Sequence, residues 1–211
     1  MPVVVCFGDS NTWGYDPDTR SRFPPDMRWT GVLARALGSE FTVIEEGLNG
    51  RTTNIDDPLD EDRNGKRHLP SRLETHAPFN LLIIMLGTND LRARLNRSAT
   101  DIAQSAALLG QTAARSISGV GGAAPAVLLV APPPVLIVDG MDEFLAGADE
   151  KSAAFARRYA WAAERYGLHF MDAGSVITSS PVDGIHFDAQ NHQRLGVAMA
   201  ERVSDILRGV V

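Results

Sequence analysis

Val3-Val4-Val5-Cys6-Phe7-Gly8-Asp9-Ser10-Asn11 opens the chain with an unbroken apolar run that stops at four small polar or flexible residues. A continuous run without polar alternation is the pattern of a strand buried on both faces. The four residues at its end admit two readings. Gly, Asp, Ser and Asn all form tight turns. A glycine at a strand end also lets the backbone bend sharply and present a reactive serine. The fold depends on whether the pattern recurs.

It does recur. Taking the first run as Pro2–Phe7, further apolar runs lie at Phe41–Ile44, Asn80–Leu86, Ala126–Ala131 and Leu168–Met171. Helical patterns separate them. Arg28–Leu37 follows the Phe23-Pro24-Pro25 breaker. Ser98 is placed to cap a helix carrying Ile102, Ala106, Leu109 and Ala113 on one face. Asp142 to Tyr166 reads as a long helix with Gly147 as a break point. Asp188 to Leu207 closes the chain with Leu195, Met199, Val203 and Ile206 in register. Strand and helix alternate, so right-handed crossovers and a parallel sheet covered on both sides are expected. The 211 residues suit one domain, 1–211, with no repeat or linker. Gly47 to Pro70 is polar and reads as a long irregular loop, of the kind that is functional when it occurs in a compact domain.

Open parallel sheets bind ligands beyond the carboxyl ends of their strands. That edge carries Gly8-Asp9-Ser10-Asn11, then Glu45 to Gly50, then Gly87-Thr88-Asn89-Asp90, then Pro132-Pro133-Pro134, and finally Asp183-Gly184-Ile185-His186. Ser10 is the candidate nucleophile, and a serine hydroxyl needs a base within hydrogen-bond reach. His186 is the candidate base, with Asp183 to hold its tautomer. The backbone N–H groups of Ser10 and Gly50 and the Asn89 amide are candidate oxyanion donors. Each residue has a plainer reading. Ser10 also suits a turn or helix cap, Asn89 and Asp90 suit caps of the next helix, and His68, His76, His169 and His192 compete with His186. The joint placement at one edge is what favours catalysis.

Composition narrows the partners. With 44% hydrophobic and 22% charged residues the chain is ordinary for a globular protein. A net charge of −6 without a basic tract argues against nucleic acid and anionic membranes. Cys6 is the single cysteine, so no intrachain disulfide forms. No signal-peptide pattern or run of ~18 apolar residues is present, and a cytoplasmic location is the expectation. No cofactor is needed by this constellation, and no metal-ligand spacing is evident. Gly119-Val120-Gly121-Gly122-Ala123-Ala124 fits a loose dinucleotide pattern, but it precedes a strand and reads as a loop. The acidic run Asp56, Asp57, Asp60, Glu61, Asp62 lacks calcium-loop spacing and reads as solvated.

Gly8-Asp9-Ser10, Gly50, Gly87-Thr88-Asn89-Asp90 and Asp183-Gly184-Ile185-His186 together resemble the four blocks of the SGNH (GDSL-like) hydrolases. Phe23 to Gly31, Arg51 to Pro58 and Ile84 to Asp90 are similar to a bacterial arylesterase/acyltransferase subgroup. The resemblance runs nearly end to end. It implies a three-layer α/β/α flavodoxin-like sandwich with a five-stranded parallel sheet. It also implies a Ser10, Asp183, His186 triad and an oxyanion hole of Ser10, Gly50 and Asn89. The activity implied is hydrolysis of small carboxylic esters through an acyl-serine, with acyl transfer to an alcohol or peroxide in some members and homo-oligomers in others. Asn11 departs from the leucine of the GDSL name, which bears on local packing. Asp9, Asn11 and Trp13 are candidates for the substrate pocket, Trp13 equally for an apolar anchor. Two other readings stay open: a carbohydrate O-acetyl esterase, and a non-enzymatic binding module on the same fold.

Overall fold

Successive side chains of a strand point to opposite faces. In β1 (Val3–Gly8), Val4 and Cys6 face one way, and Val5 and Phe7 the other. β5 (Leu81–Met85) and β6 (Ala126–Ala131) divide their apolar residues in the same manner. In the computed structural model, which describes residues 1–209, these strands join β4 (Thr42–Gly47) and β7 (His169–Asp172) in one parallel sheet. The order is β4-β1-β5-β6-β7. This is the flavodoxin-like arrangement, whose ligand crevice opens at the carboxyl ends near β1 and β5.

Both faces need apolar cover. On one, α2 (Trp29–Leu37) and α7 (Ala189–Arg208) bury Trp29, Leu33, Leu195, Met199 and Val203. On the other, α3 (Gly65–His76), α4 (Ala99–Ala114) and α6 (Phe155–Tyr166) bury Leu69, Leu73, Ile102, Leu109, Phe155 and Tyr159. Each fully buried Leu, Ile or Phe contributes about 2 kcal/mol of transfer free energy. Ser98 caps α4 by accepting from the Asp101 N–H, and Asp188 caps α7 by accepting from the Asn191 N–H. Among the described residues no helix is long and apolar enough to cross a membrane.

Three segments differ from expectation. The Gly47–Pro70 stretch is not wholly irregular, because α3 begins at Gly65 behind an Asn64 cap and carries Pro70 within it. Its polar sequence masks it: only Gly65, Leu69 and Leu73 are buried. The expected 142–166 helix is two helices, α5 (Ala148–Ala153) and α6, parted at Ala154, with turns over 142–147. Gly147 instead sits at φ +71° immediately before α5. Finally, β2 (Tyr15–Asp16) and β3 (Ser21–Arg22) form a short antiparallel ribbon that no alternation announces.

Candidate active site

The carboxyl edge of the sheet folds tightly because two glycines leave room. Ser10 begins α1 (Ser10–Trp13), directly beyond β1. A Cβ on Gly8 would lie 2.0 Å from Thr12 Oγ1, and one on Gly47 would lie 2.2 Å from the Trp13 nitrogen. The Asp9 carboxylate caps α1 by accepting from the Asn11 N–H at 3.0 Å. Arg51 ties the ends of β1 and β4 together, donating to the Gly8 and Glu46 carbonyls with its guanidinium over the Phe7 ring.

Across the crevice, a turn after β7 organises the acid and the imidazole. Asp183 Oδ1 accepts from the backbone N–H groups of Ile185 and His186 at 3.0 and 2.9 Å. That leaves Oδ2 facing His186 Nδ1 at 2.6 Å. A carboxylate only accepts, so Nδ1 carries the proton and Nε2 is left as acceptor. Nε2 stands 2.9 Å from Ser10 Oγ, in line to take the hydroxyl proton. Burial works to raise the Asp183 carboxyl, but hydrogen bonds from the His186 side chain and backbone outweigh it, and the net shift is downward. The acid therefore stays ionised beside the imidazole. Tyr15 stacks on His186 with ring centroids 4.2 Å apart.

The cleft beside this group has a volume of ≈ 360 Å³ and reaches Tyr15, Gly50, Asn89, Phe144 and Ile185. Gly50 adopts φ +75°, a conformation that favours glycine, and a Cβ there would lie 2.6 Å from Asp60 Oδ2. Asn89 Nδ2 donates to the Arg51 carbonyl at 3.1 Å. Behind it, Asp90 is buried and accepts from the Thr53 N–H and hydroxyl at 2.9 and 2.5 Å. Burial pushes the Asp90 carboxyl up to about 6, against those hydrogen bonds. Burial likewise raises Asp9 to about 6, opposed by the Asn11 N–H and the charges of His186 and Arg51.

A serine, a histidine and an aspartate in hydrogen-bonded series, beside donors at a sheet edge, can perform acyl transfer. The model of the GDSL-like lipase/acylhydrolase family matches residues 6–194. The chain belongs to the GDSL-like lipase/acylhydrolase family. It is a carboxylic ester hydrolase. An aryl esterase of M. smegmatis is 47% identical, with 97% of this chain and 99% of that chain covered and a TM-score of 0.93. A carbohydrate acetylesterase from Sinorhizobium meliloti is 40% identical, with 98% and 100% covered and a TM-score of 0.93. A protein of the G-D-S-L family from Veillonella parvula, 17% identical, shares the fold at a TM-score of 0.66. No curated protein matches.

In this GDSL-like hydrolase the three suggested pocket residues lie outside the cleft wall. The Asp9 carboxylate is turned into its own helix, and Trp13 stacks under Arg22. Asn11 is 2% exposed and bridges to the histidine turn: Nδ2 donates to the Ile185 carbonyl at 3.3 Å, and Oδ1 accepts from the Phe187 N–H at 3.2 Å. Reading the sequence alone misses Tyr15, Asn49, Asp60, Arg63, Arg92 and Phe144, which complete the wall. Tyr15 lies near Ser10 in the chain, and that proximity was its one available signal. Of the competing histidines, His192 is buried and its Nδ1 accepts from the Trp29 N–H, while His76 contacts Glu46 at 2.7 Å. Among the described residues no group of three His, Cys, Asp or Glu side chains gathers as a metal site.

Proposed function

We propose that this hydrolase cleaves short-chain aryl and alkyl esters through an acyl-serine intermediate. The observation that carries the reading is the unbroken series Asp183 Oδ2, His186 Nδ1, His186 Nε2, Ser10 Oγ at 2.6 and 2.9 Å. Ser10 Oγ attacks the ester carbonyl as His186 Nε2 takes its proton, and Asp183 stabilises the imidazolium. The backbone N–H groups of Ser10 and Gly50 and the Asn89 amide hold the oxyanion. His186 then protonates the departing alcohol. Water, deprotonated by the same nitrogen, releases the acid. An alcohol or peroxide in place of water would accept the acyl group by identical steps. The chain acts as one domain, and its single thiol, buried in β1, suits a cytoplasmic setting.

A second reading, removal of O-acetyl groups from a carbohydrate, draws on the polar wall formed by Asn49, Asp60, Arg63 and Arg92. Those groups are suited to hydroxyls, whereas Tyr15, Phe144 and Ile185 are suited to an aromatic or acyl group. Initial rates on p-nitrophenyl acetate, butyrate and octanoate, beside acetylated xylan and a peracetylated monosaccharide, separate the two. Higher kcat/KM on the aryl acetate, falling with chain length, supports the first reading. Higher kcat/KM on the acetylated sugars replaces it with the second.

A further inference from the structure

Arg92 lies beside two of the groups that the proposed function makes oxyanion donors. Its Nη2 donates to Asn89 Oδ1 at 3.0 Å, and it stands 3.3 Å from where a Cβ on Gly50 would sit. A guanidinium has donors and no acceptor. Only the oxygen of the Asn89 amide can face it, so the NH2 group must face the other way. One of its hydrogens goes to the Arg51 carbonyl, and the second is left for a ligand. A charged donor on Oδ1 also polarises the amide and strengthens its N–H as a donor.

Arg92 is itself clamped. Asp57 has a fully buried side chain, and its Oδ2 accepts from Arg92 Nη1 at 2.5 Å and from Arg94 Nη2 at 2.6 Å. Its Oδ1 accepts from Arg94 Nε at 2.9 Å and from the Leu59 N–H at 3.0 Å. Asp60 adds a longer contact to Arg92 at 3.4 Å and pairs with Arg63 at 3.1 Å. The acidic run that reads as solvated loop therefore holds arginines against the cleft.

We propose that Arg92 is a positioning residue for ester hydrolysis, fixing the Asn89 amide with its N–H turned to the oxyanion, and that Asp57 fixes Arg92. This rests on the reading of Asn89 as an oxyanion donor. A cycle of Arg92→Met, Asn89→Ala and the double variant tests it with p-nitrophenyl acetate, each protein checked by circular dichroism. Loss of an oxyanion donor costs on the order of 100–1000-fold in kcat, so Asn89→Ala should fall in that range and Arg92→Met should lose roughly 10–100-fold. KM should stay within about 3-fold of wild type in both, since the ground-state carbonyl is not what the amide binds. Arg92→Lys, which keeps a charged donor, should recover part of the loss. In the Asn89→Ala background Arg92→Met should add almost nothing, because there is no amide left to orient.

Multiplicative losses in the double variant would overturn the proposal, as would an unchanged kcat in Arg92→Met. A rise in KM that persists without Asn89 would do so too, by making Arg92 a substrate contact. If Asn89→Ala alone retains wild-type kcat, it is the oxyanion assignment that fails. If Arg92→Met does not fold, the same cycle with Arg92→Lys decides, non-additivity supporting the proposal and multiplicative loss ending it.

Discussion

Asn11 joins the helix that begins at Ser10 to the turn that carries His186, and its removal has a calculable effect. Its two hydrogen bonds grip the residues on either side of His186, the Ile185 carbonyl and the Phe187 N–H. Phe187 is fully buried, so its N–H has no route to bulk water after truncation. A buried donor left unsatisfied costs about 1–3 kcal/mol, and an ordinary hydrogen bond contributes about 1 kcal/mol. Asn11→Ala should therefore lose about 2–4 kcal/mol of stability. For a chain of this size that corresponds to a fall in Tm of roughly 4–16 °C. The catalytic effect is separate. With the turn released on both sides of His186, displacement of Nε2 from Ser10 by ~1 Å lowers kcat by up to about 100-fold. Urea unfolding gives the first quantity, and initial rates on p-nitrophenyl acetate below the unfolding range give the second. A variant within about 0.5 kcal/mol of wild type, the usual span of a neutral surface substitution, and with unchanged kcat would refute the reasoning.

Asp90 supplies a pH-dependent test. Its carboxyl is raised by burial from 3.8 to about 6, so the folded state holds this proton where the unfolded state has released it. The group's contribution is fully present below pH ~4 and is lost as pH rises through about 6, a difference of ~3 kcal/mol for two pH units. Asp90→Asn, which cannot ionise, should flatten the fall in stability between about pH 4 and 6; urea titrations at several pH values with the same slope as wild type would count against it. Beyond the end of β5, the Tyr159 hydroxyl donates to the Leu86 carbonyl at 2.6 Å. A Cβ on Gly87, which sits at φ +129°, would fall 2.1 Å from that hydroxyl. Tyr159→Phe should cost about 1–3 kcal/mol through the stranded carbonyl. Gly87→Ala should cost more, because it adds strain and a clash; thermal unfolding that ranks the two the other way would show that the close approach is relaxed at little cost.

The sheet was legible because strands buried on both faces write themselves as continuous apolar runs. Val3 to Phe7, Leu81 to Met85 and Ala126 to Ala131 needed no context. The glycine and polar residues beyond β1 and β5 were legible for a related reason, since they end the apolar runs abruptly. Asp183 and His186 share one turn, so their pairing was visible as local spacing. The link from Asp57 to Arg92 was not visible, because the two lie 35 residues apart and read as ordinary surface charge. Nor was α3, whose buried face is mainly Leu69 and Leu73 in a polar segment interrupted by Pro70. Asn11 stands out in the sequence as a departure from the usual leucine, yet its partners lie 174 and 176 residues away, and only the fold brings them together.

The most direct test is the rate of p-nitrophenyl acetate hydrolysis by wild type and Ser10→Ala, purified side by side with matched circular dichroism. We expect steady turnover by the wild type and a loss of at least ~1000-fold in kcat in the variant, since a nucleophile that acts with its base as a unit cannot be partly replaced. Equal activity in the two proteins would contradict the assignment of Ser10 as the nucleophile.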